Sequence, residues 1–128
     1  RAIAGEGPAV RIFGTDYATP DGTCLRDYIH VYDLAEAHSL ALDRLESFSG
    51  SVNLGTGVPT SVREIVLAAE AVTGRSCPVV LGPRREGDPE ALYAANAFAG
   101  EILGWTPKYT EIRDILATAW NWECNRRY

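Results

Sequence analysis

The sequence predicts a small α/β unit, on three observations. Short runs rich in β-branched and aromatic residues, such as "AVRIF" and "CPVVL", alternate with stretches whose apolar residues recur three and four positions apart. Patterns of the form Asp/Ser-x-x-Glu, which start helices by satisfying free backbone N–H groups, stand before two of those stretches. Segments dense in Gly, Pro, Asp and Thr separate them. Strands alternating with helices indicate an α/β or α+β arrangement, and 128 residues suffice for one domain or part of a larger one.

The opening "RAIAGEGPAVRIFG" reads as the tail of a helix, a Gly-Glu-Gly-Pro turn and a strand over residues 9–13. A loop, "GTDYATPDGT", follows; Pro20 presets one φ there and Gly22 permits a positive one. Residues 26–31, "RDYIHV", alternate and are aromatic and β-branched, which predicts a strand. Asp33 is the expected N-cap of the next helix, with Glu36 completing a capping box. Leu34, Ala37, Ala41 and Leu45 then share one face of a helix ending near Ser49 and Gly50. Residues 51–54, "SVNL", form a short strand running into "GTGVPT". Ser61 and Glu64 make a second capping box, Val62, Ile65, Val66 and Ala69 a helical stripe, and Gly74 closes it. A strand over residues 78–82, the loop "PRREGDPE" and a helix "AFAGEILG" weakened by Gly100 come next. The last helix, residues 111–124, is expected to bury Ile112, Ile115, Leu116 and Ala119.

Composition narrows the function. A formal net charge of -5 argues against non-specific binding to nucleic acid or an anionic membrane. An anionic ligand would need a local cluster of arginines. No apolar run approaches the ~20 residues of a membrane span, and no signal peptide is visible. Cys24, Cys77 and Cys124 are odd in number and widely spaced, which suits free thiols in a reducing cytoplasm. Methionine is absent, so the chain is expected to be part of a longer protein.

Three features could carry chemistry. "NLGTGVPTSV" precedes a helix and could cradle a phosphate on free N–H groups, or could be a tight strand-to-helix turn. The two histidines, His30 and His38, lack metal-site spacing and read as locally satisfied. The arginines are more telling. Arg84 and Arg85 stand side by side in a Pro/Gly-bounded loop of an acidic chain, and Arg26 begins the "RDYIHV" run. A guanidinium presents paired planar donors that match phosphate oxygens, so arginines converging from two loops could hold a diphosphate. Solvated surface arginine is the alternative.

"IFGTDYATPDGTCLRDYIHVYDLAEAHSLAL", "NLGTGVPTSVREIV" and "GPRREGDPEALYA", in this order, resemble the UDP-glucose (UDP-galactose) 4-epimerases, and "ILGWTPKYTEIRDILATAWNWE" fits their C-terminus. These are extended short-chain dehydrogenase/reductases. The resemblance implies that residues 1–128 are the C-terminal nucleotide-sugar (UDP) binding portion of an NAD-dependent isomerase, with the Rossmann NAD-binding domain lying outside this chain. It implies that Arg26 and Arg85 bind the diphosphate, Tyr28 lies near the UDP, Asp88 binds the uridine ribose, Phe13 and Val62 wall the nucleotide, and Leu92 lies beside the hexose 2-substituent. Arg84 matches no contact. The family's Gly-x-x-Gly-x-x-Gly turn and Tyr-x-x-x-Lys pair are absent, so neither catalytic nor cofactor-binding residues are expected here, and the chain alone is expected to be inactive. In "YAANAFAGEIL" the sequence departs from many relatives, which puts the helix start there in doubt.

Two alternatives stay open: a stand-alone, non-catalytic nucleotide-sugar binding module, and a related nucleotide-sugar dehydratase or decarboxylase. The expected partner is a UDP-sugar. A homodimeric parent and self-association of the isolated chain through exposed apolar surface are both compatible with this reading.

Overall fold

The valine- and isoleucine-rich runs on either side of residue 50 find each other across most of the chain. In the computed structural model, which describes residues 1–126, β1 (Val10–Phe13) pairs in parallel with β4 (Val79–Gly82), setting Phe13 against Gly82. Between them in sequence lie β2 (Leu25–Arg26), α1 (Val31–Leu42), β3 (Thr60–Ser61) and α2 (Val62–Thr73); after them come β5 (Ala91–Leu92), α3 (Ala97–Leu103) and α4 (Ile112–Cys124). A second, three-stranded sheet has the order β3-β2-β5, with β2 antiparallel to β3 and parallel to β5. This is the mixed α/β unit that the alternation predicts, and no helix among the described residues is long and apolar enough to cross a membrane.

The core is narrow. Ala37 of α1 meets Ala99 and Leu103 of α3 and Trp105, and Ile29, Leu40, Ala41, Val52, Leu54 and Ile102 pack around them. Elsewhere α2 lies against α4. The Ser61–Glu64 capping box forms as expected: the Ser61 hydroxyl accepts from the Glu64 N–H, the Glu64 carboxylate from the Ser61 N–H, and Gly74 ends the helix. At the start of the chain, Gly5 N–H donates to Ala2 O and Glu6 N–H to Arg1 O. That double closure is how helices end, although the segment forms only turns.

Several expectations need correction. Asp33 is not the cap of α1. His30 is, accepting the Tyr32 N–H on Nδ1 at 3.0 Å, so the helix starts earlier than the capping-box pattern suggests. Asp33 is instead buried, 1% exposed; its carboxylate accepts Lys108 N–H at 3.0 Å and Tyr109 N–H at 2.9 Å, and its carbonyl accepts Trp105 Nε1–H at 2.9 Å. Glu36 pairs with the Lys108 ammonium. Helix α1 stops at Leu42 and turns follow, which leaves Leu45 exposed. The strand expected at 26–31 is only Leu25–Arg26, because Asp27 and His30 bond to other segments. Residues 51–54 do alternate, with Val52 and Leu54 turned to the core, yet no strand pairs with them. In α4, Ile112, Ile115 and Leu116 are half-buried and Ala119 is exposed.

Apolar side chains remain open to solvent on β4 (Val80 47%, Leu81 61%) and at the start of α1 (Val31 69%, Tyr32 67%). Exposed apolar faces of this kind fit the self-association expected of the isolated chain.

The buried Asp33 gives a stability prediction. Asp33→Asn puts an amide group opposite one of two backbone donors, and an unsatisfied buried donor costs about 1–3 kcal/mol. A urea titration should show a loss of that size, whereas Glu36→Gln, which breaks only an exposed ion pair, should cost less than about 1 kcal/mol.

Candidate functional site

The site residues named from sequence fall on or beside two small sheets and in the loop between β4 and β5. On the three-stranded sheet, Arg26 stands opposite Thr60 of β3 and Leu92 of β5. Residues in register share a face, so Arg26 and Leu92 project together, and Val62 begins α2 immediately after β3. The Arg26 guanidinium donates from Nη1 to Leu25 O at 2.7 Å and Pro89 O at 3.0 Å, and from Nη2 to Asp88 Oδ1 at 2.7 Å. A guanidinium carries five N–H donors, so part of its donor fork remains for an anion.

Asp88 ties this group to the second. Its N–H donates to Arg85 O at 3.3 Å while its carboxylate holds Arg26 of β2, so one aspartate bonds both to the turn that carries Arg85 and to the other arginine expected to bind phosphate. The Arg85 guanidinium carbon lies 3.7 Å from the centre of the Phe13 ring on β1. Among the described residues, no carboxylate pairs with this guanidinium. Arg84 behaves differently: its Nε donates to Asp16 Oδ1 at 2.7 Å and its guanidinium covers Tyr17 at 4.1 Å. The two like charges of "PRRE" therefore diverge onto two aromatics, and only one of them is neutralised by a carboxylate. Tyr28 is half-buried, and burial pushes its phenol pKa up.

Sequence reasoning missed the residue that holds these parts in place. Asp27, between Arg26 and Tyr28, accepts Thr56 N–H at 2.9 Å, Thr56 Oγ1–H at 2.6 Å, Gly57 N–H at 3.0 Å and Ala94 N–H at 3.2 Å. This settles the reading of "NLGTGVPTSV": two N–H groups that might have cradled a phosphate are held by a carboxylate of the chain itself. A β-carbon on Gly55 would collide with Asp27 Oδ2 and come within 2.7 Å of Ala94 Cβ, so only glycine lets the loop approach. A carboxylate inside an aromatic, β-branched run was the available signal, because such a group must find donors when the run is buried. Burial raises the Asp27 pKa, but the bonds from Thr56, Gly57 and Ala94 outweigh it and hold the carboxyl below its ordinary value. Asp21 is balanced in the same way: burial raises it, and the Ser61 and Thr23 bonds hold it down.

Three concavities, of about 410, 270 and 420 Å³, lie over α1, between the N-terminal turns and α4, and beside His30. None of these three is lined by an expected site residue. His30 is occupied structurally, bonded to Thr118 Oγ1 at 2.8 Å and stacked on Tyr109.

Comparison with known proteins places the chain among the UDP-glucose 4-epimerases. Residues 1–55 match the model of the NAD dependent epimerase/dehydratase family. A UDP-glucose 4-epimerase of Halalkalibacterium halodurans is 49% identical over 120 residues, which is 92% of this chain and 36% of that protein. Among solved structures, UDP-glucose 4-epimerase from Brucella ovis in complex with NAD is 50% identical with a TM-score of 0.83, over 93% of this chain and 38% of that one. The enzyme from Bifidobacterium longum in complex with NAD+ and UDP is 42% identical with a TM-score of 0.87, over 96% and 37%. The chain thus spans little more than a third of the relatives it matches.

The Asp27 network predicts an acid response. A carboxyl whose pKa is lowered on folding binds fewer protons in the native than in the unfolded state, so its stabilisation is present above the unfolded value of about 3.9 and is lost as pH falls through the lower native value. Unfolding free energy should therefore fall more steeply below about pH 4 in the wild type than in Asp27→Asn, which should be less stable at neutral pH. Parallel slopes for the two proteins would overturn this role.

Proposed function

This chain is a relative of the UDP-glucose 4-epimerases, and we propose that it is the portion of such an enzyme that binds the UDP end of the nucleotide sugar. The observation that supports the reading best is the Arg85–Asp88 turn, in which one aspartate links Arg85 of the loop after β4 to Arg26 of β2. Arg26 and Arg85 bind the diphosphate oxygens; Asp88 receives the ribose hydroxyls; Phe13, Val62 and Tyr28 wall the nucleotide; Leu92 borders the hexose. Arg26 is held by Asp88 and two backbone carbonyls, so its orientation is set before ligand arrives, and less ordering is needed on binding.

Hydride chemistry does not belong to these residues on this reading. The Brucella and Bifidobacterium relatives were solved with NAD, but this chain has no Gly-x-x-Gly-x-x-Gly turn. The Thr56 and Gly57 N–H groups that begin its Gly-rich loop already serve Asp27. The NAD site and the catalytic pair are assigned to the rest of the parent enzyme, and the 128 residues alone are inactive. The chain's task is retention: a firm hold on UDP keeps the sugar in place while its ring turns. The setting is the cytoplasm, which suits the free thiols of Cys24, Cys77 and Cys124.

Two measurements test this reading. Calorimetric titration of UDP should show Arg85→Ala binding about 10- to 100-fold more weakly, as expected for one charged hydrogen-bonding group. Arg26→Ala should lose at least as much, because it also frees Asp88. Unchanged affinity in both would end the assignment. For the sugar, kcat/KM for UDP-galactose relative to UDP-N-acetylgalactosamine in the full-length enzyme should fall with Leu92→Ala and rise with Leu92→Tyr. Apolar bulk discriminates by only about 1–3 kcal/mol, so neither change should be absolute, and an unmoved ratio would remove Leu92 from the sugar pocket.

A further inference from the structure

We propose that Arg84 is a positioning residue for Arg85, acting through Asp16 and Tyr17; this rests on the reading that Arg85 holds the diphosphate. Arg84 is gripped by the loop that follows β1. Its Nε donates to Asp16 Oδ1 at 2.7 Å, its Nη2 donates to the Asp16 carbonyl, and its guanidinium carbon lies 4.1 Å over Tyr17, a ring only 5% exposed. The sequence of this loop makes room for the grip. A β-carbon on Gly14 would stand 2.5 Å from Tyr17 Cε2 and 2.7 Å from Arg84 Cγ, so any other residue there would push the two apart.

Stability does not account for the arrangement. The Arg84 and Asp16 side chains are 45% and 74% exposed, and ion pairs so open to water contribute little. What the grip does fix is direction. With Arg84 drawn to Tyr17 on one side, Arg85 is turned to the other, over Phe13 at 3.7 Å, with no carboxylate competing for its guanidinium among the described residues. Asp16 serves this geometry although its charge opposes a diphosphate nearby. The hydrogen bond from Arg84 also lowers the Asp16 pKa, so the pair stays ionised.

That opposition supplies the test. On charge alone, Asp16→Ala removes a negative group and should tighten UDP binding. Positioning predicts weakening, by about 3- to 10-fold, the cost of ordering one freed side chain. UDP is titrated calorimetrically into the full-length protein as wild type, Asp16→Ala, Arg84→Ala, Arg84→Lys, Arg85→Ala and the Arg84→Ala/Arg85→Ala double variant. Thermal unfolding checks that each is folded. Expected are weakening by Asp16→Ala, a similar loss in Arg84→Ala, no rescue by Arg84→Lys, which keeps the charge but not the fork, and no further loss when Arg84→Ala is added to Arg85→Ala. Tighter or unchanged binding by Asp16→Ala, rescue by lysine, or a full Arg84 effect without Arg85 would each overturn the proposal while leaving the UDP site standing. An Arg85→Ala protein that binds UDP normally would instead overturn the site reading and this inference with it.

Discussion

The Asp27 carboxylate gathers three segments of the chain at one point. It sits at the end of a two-residue strand, too short to be stable as a sheet. Its bonds to Thr56, Gly57 and Ala94 bring the Gly-rich loop and the residues after β5 onto the same point. The neighbouring side chains, Arg26 and Tyr28, inherit their positions from it. Backbone donors that would otherwise need water are satisfied, and the loop is closed by a charge-assisted group instead of by a packed core. Gly55 is the steric counterpart of that carboxylate, since the approach leaves no space for a side chain.

Around this anchor the charges are sorted by what they face. Arg26 and Asp88 are 20% and 27% exposed, so salt screens their attraction less than it screens Arg84 and Asp16 on the open surface. Arg85 is left stacked on Phe13, a contact that holds a cation without neutralising it. An acidic chain thus keeps the Arg85 guanidinium without a carboxylate partner among the described residues. Local geometry, not net charge, produces it.

The helices serve different ends. Helix α2 is set by its own sequence, with a reciprocal cap at Ser61 and Glu64 and a left-handed glycine at Gly74. Helix α1 depends on distant residues: His30 caps it while bonded to Thr118 of α4, and Asp33 ties its first turn to the backbone at Lys108 and Tyr109. Helix α3 starts without a side-chain cap; the Asn96 side chain instead donates from its amide nitrogen to Gly55 O.

What was legible in the sequence follows from local physics. The α2 capping box, the β1 and β4 runs, and the span of α4 are written in neighbours three or four residues apart, or in alternation. The family pattern carried Arg26, Arg85 and Asp88 as a group; in the structure Asp88 holds Arg26 of β2 and bonds through its backbone to Arg85. The α1 cap was misread because Asp33-x-x-Glu36 fits a capping box equally well, and burial of Asp33 against a segment more than 70 residues away is invisible locally. The strands β3 and β5 are two residues each, too short for any period. The strand expected at 51–54 has the right alternation, but a strand is also a partner, and none pairs with it among the described residues. The division between Arg84 and Arg85 was decided by Asp16, Tyr17 and Phe13, which lie far away in sequence. Two adjacent identical side chains can be told apart only by what the folded chain places beside each of them.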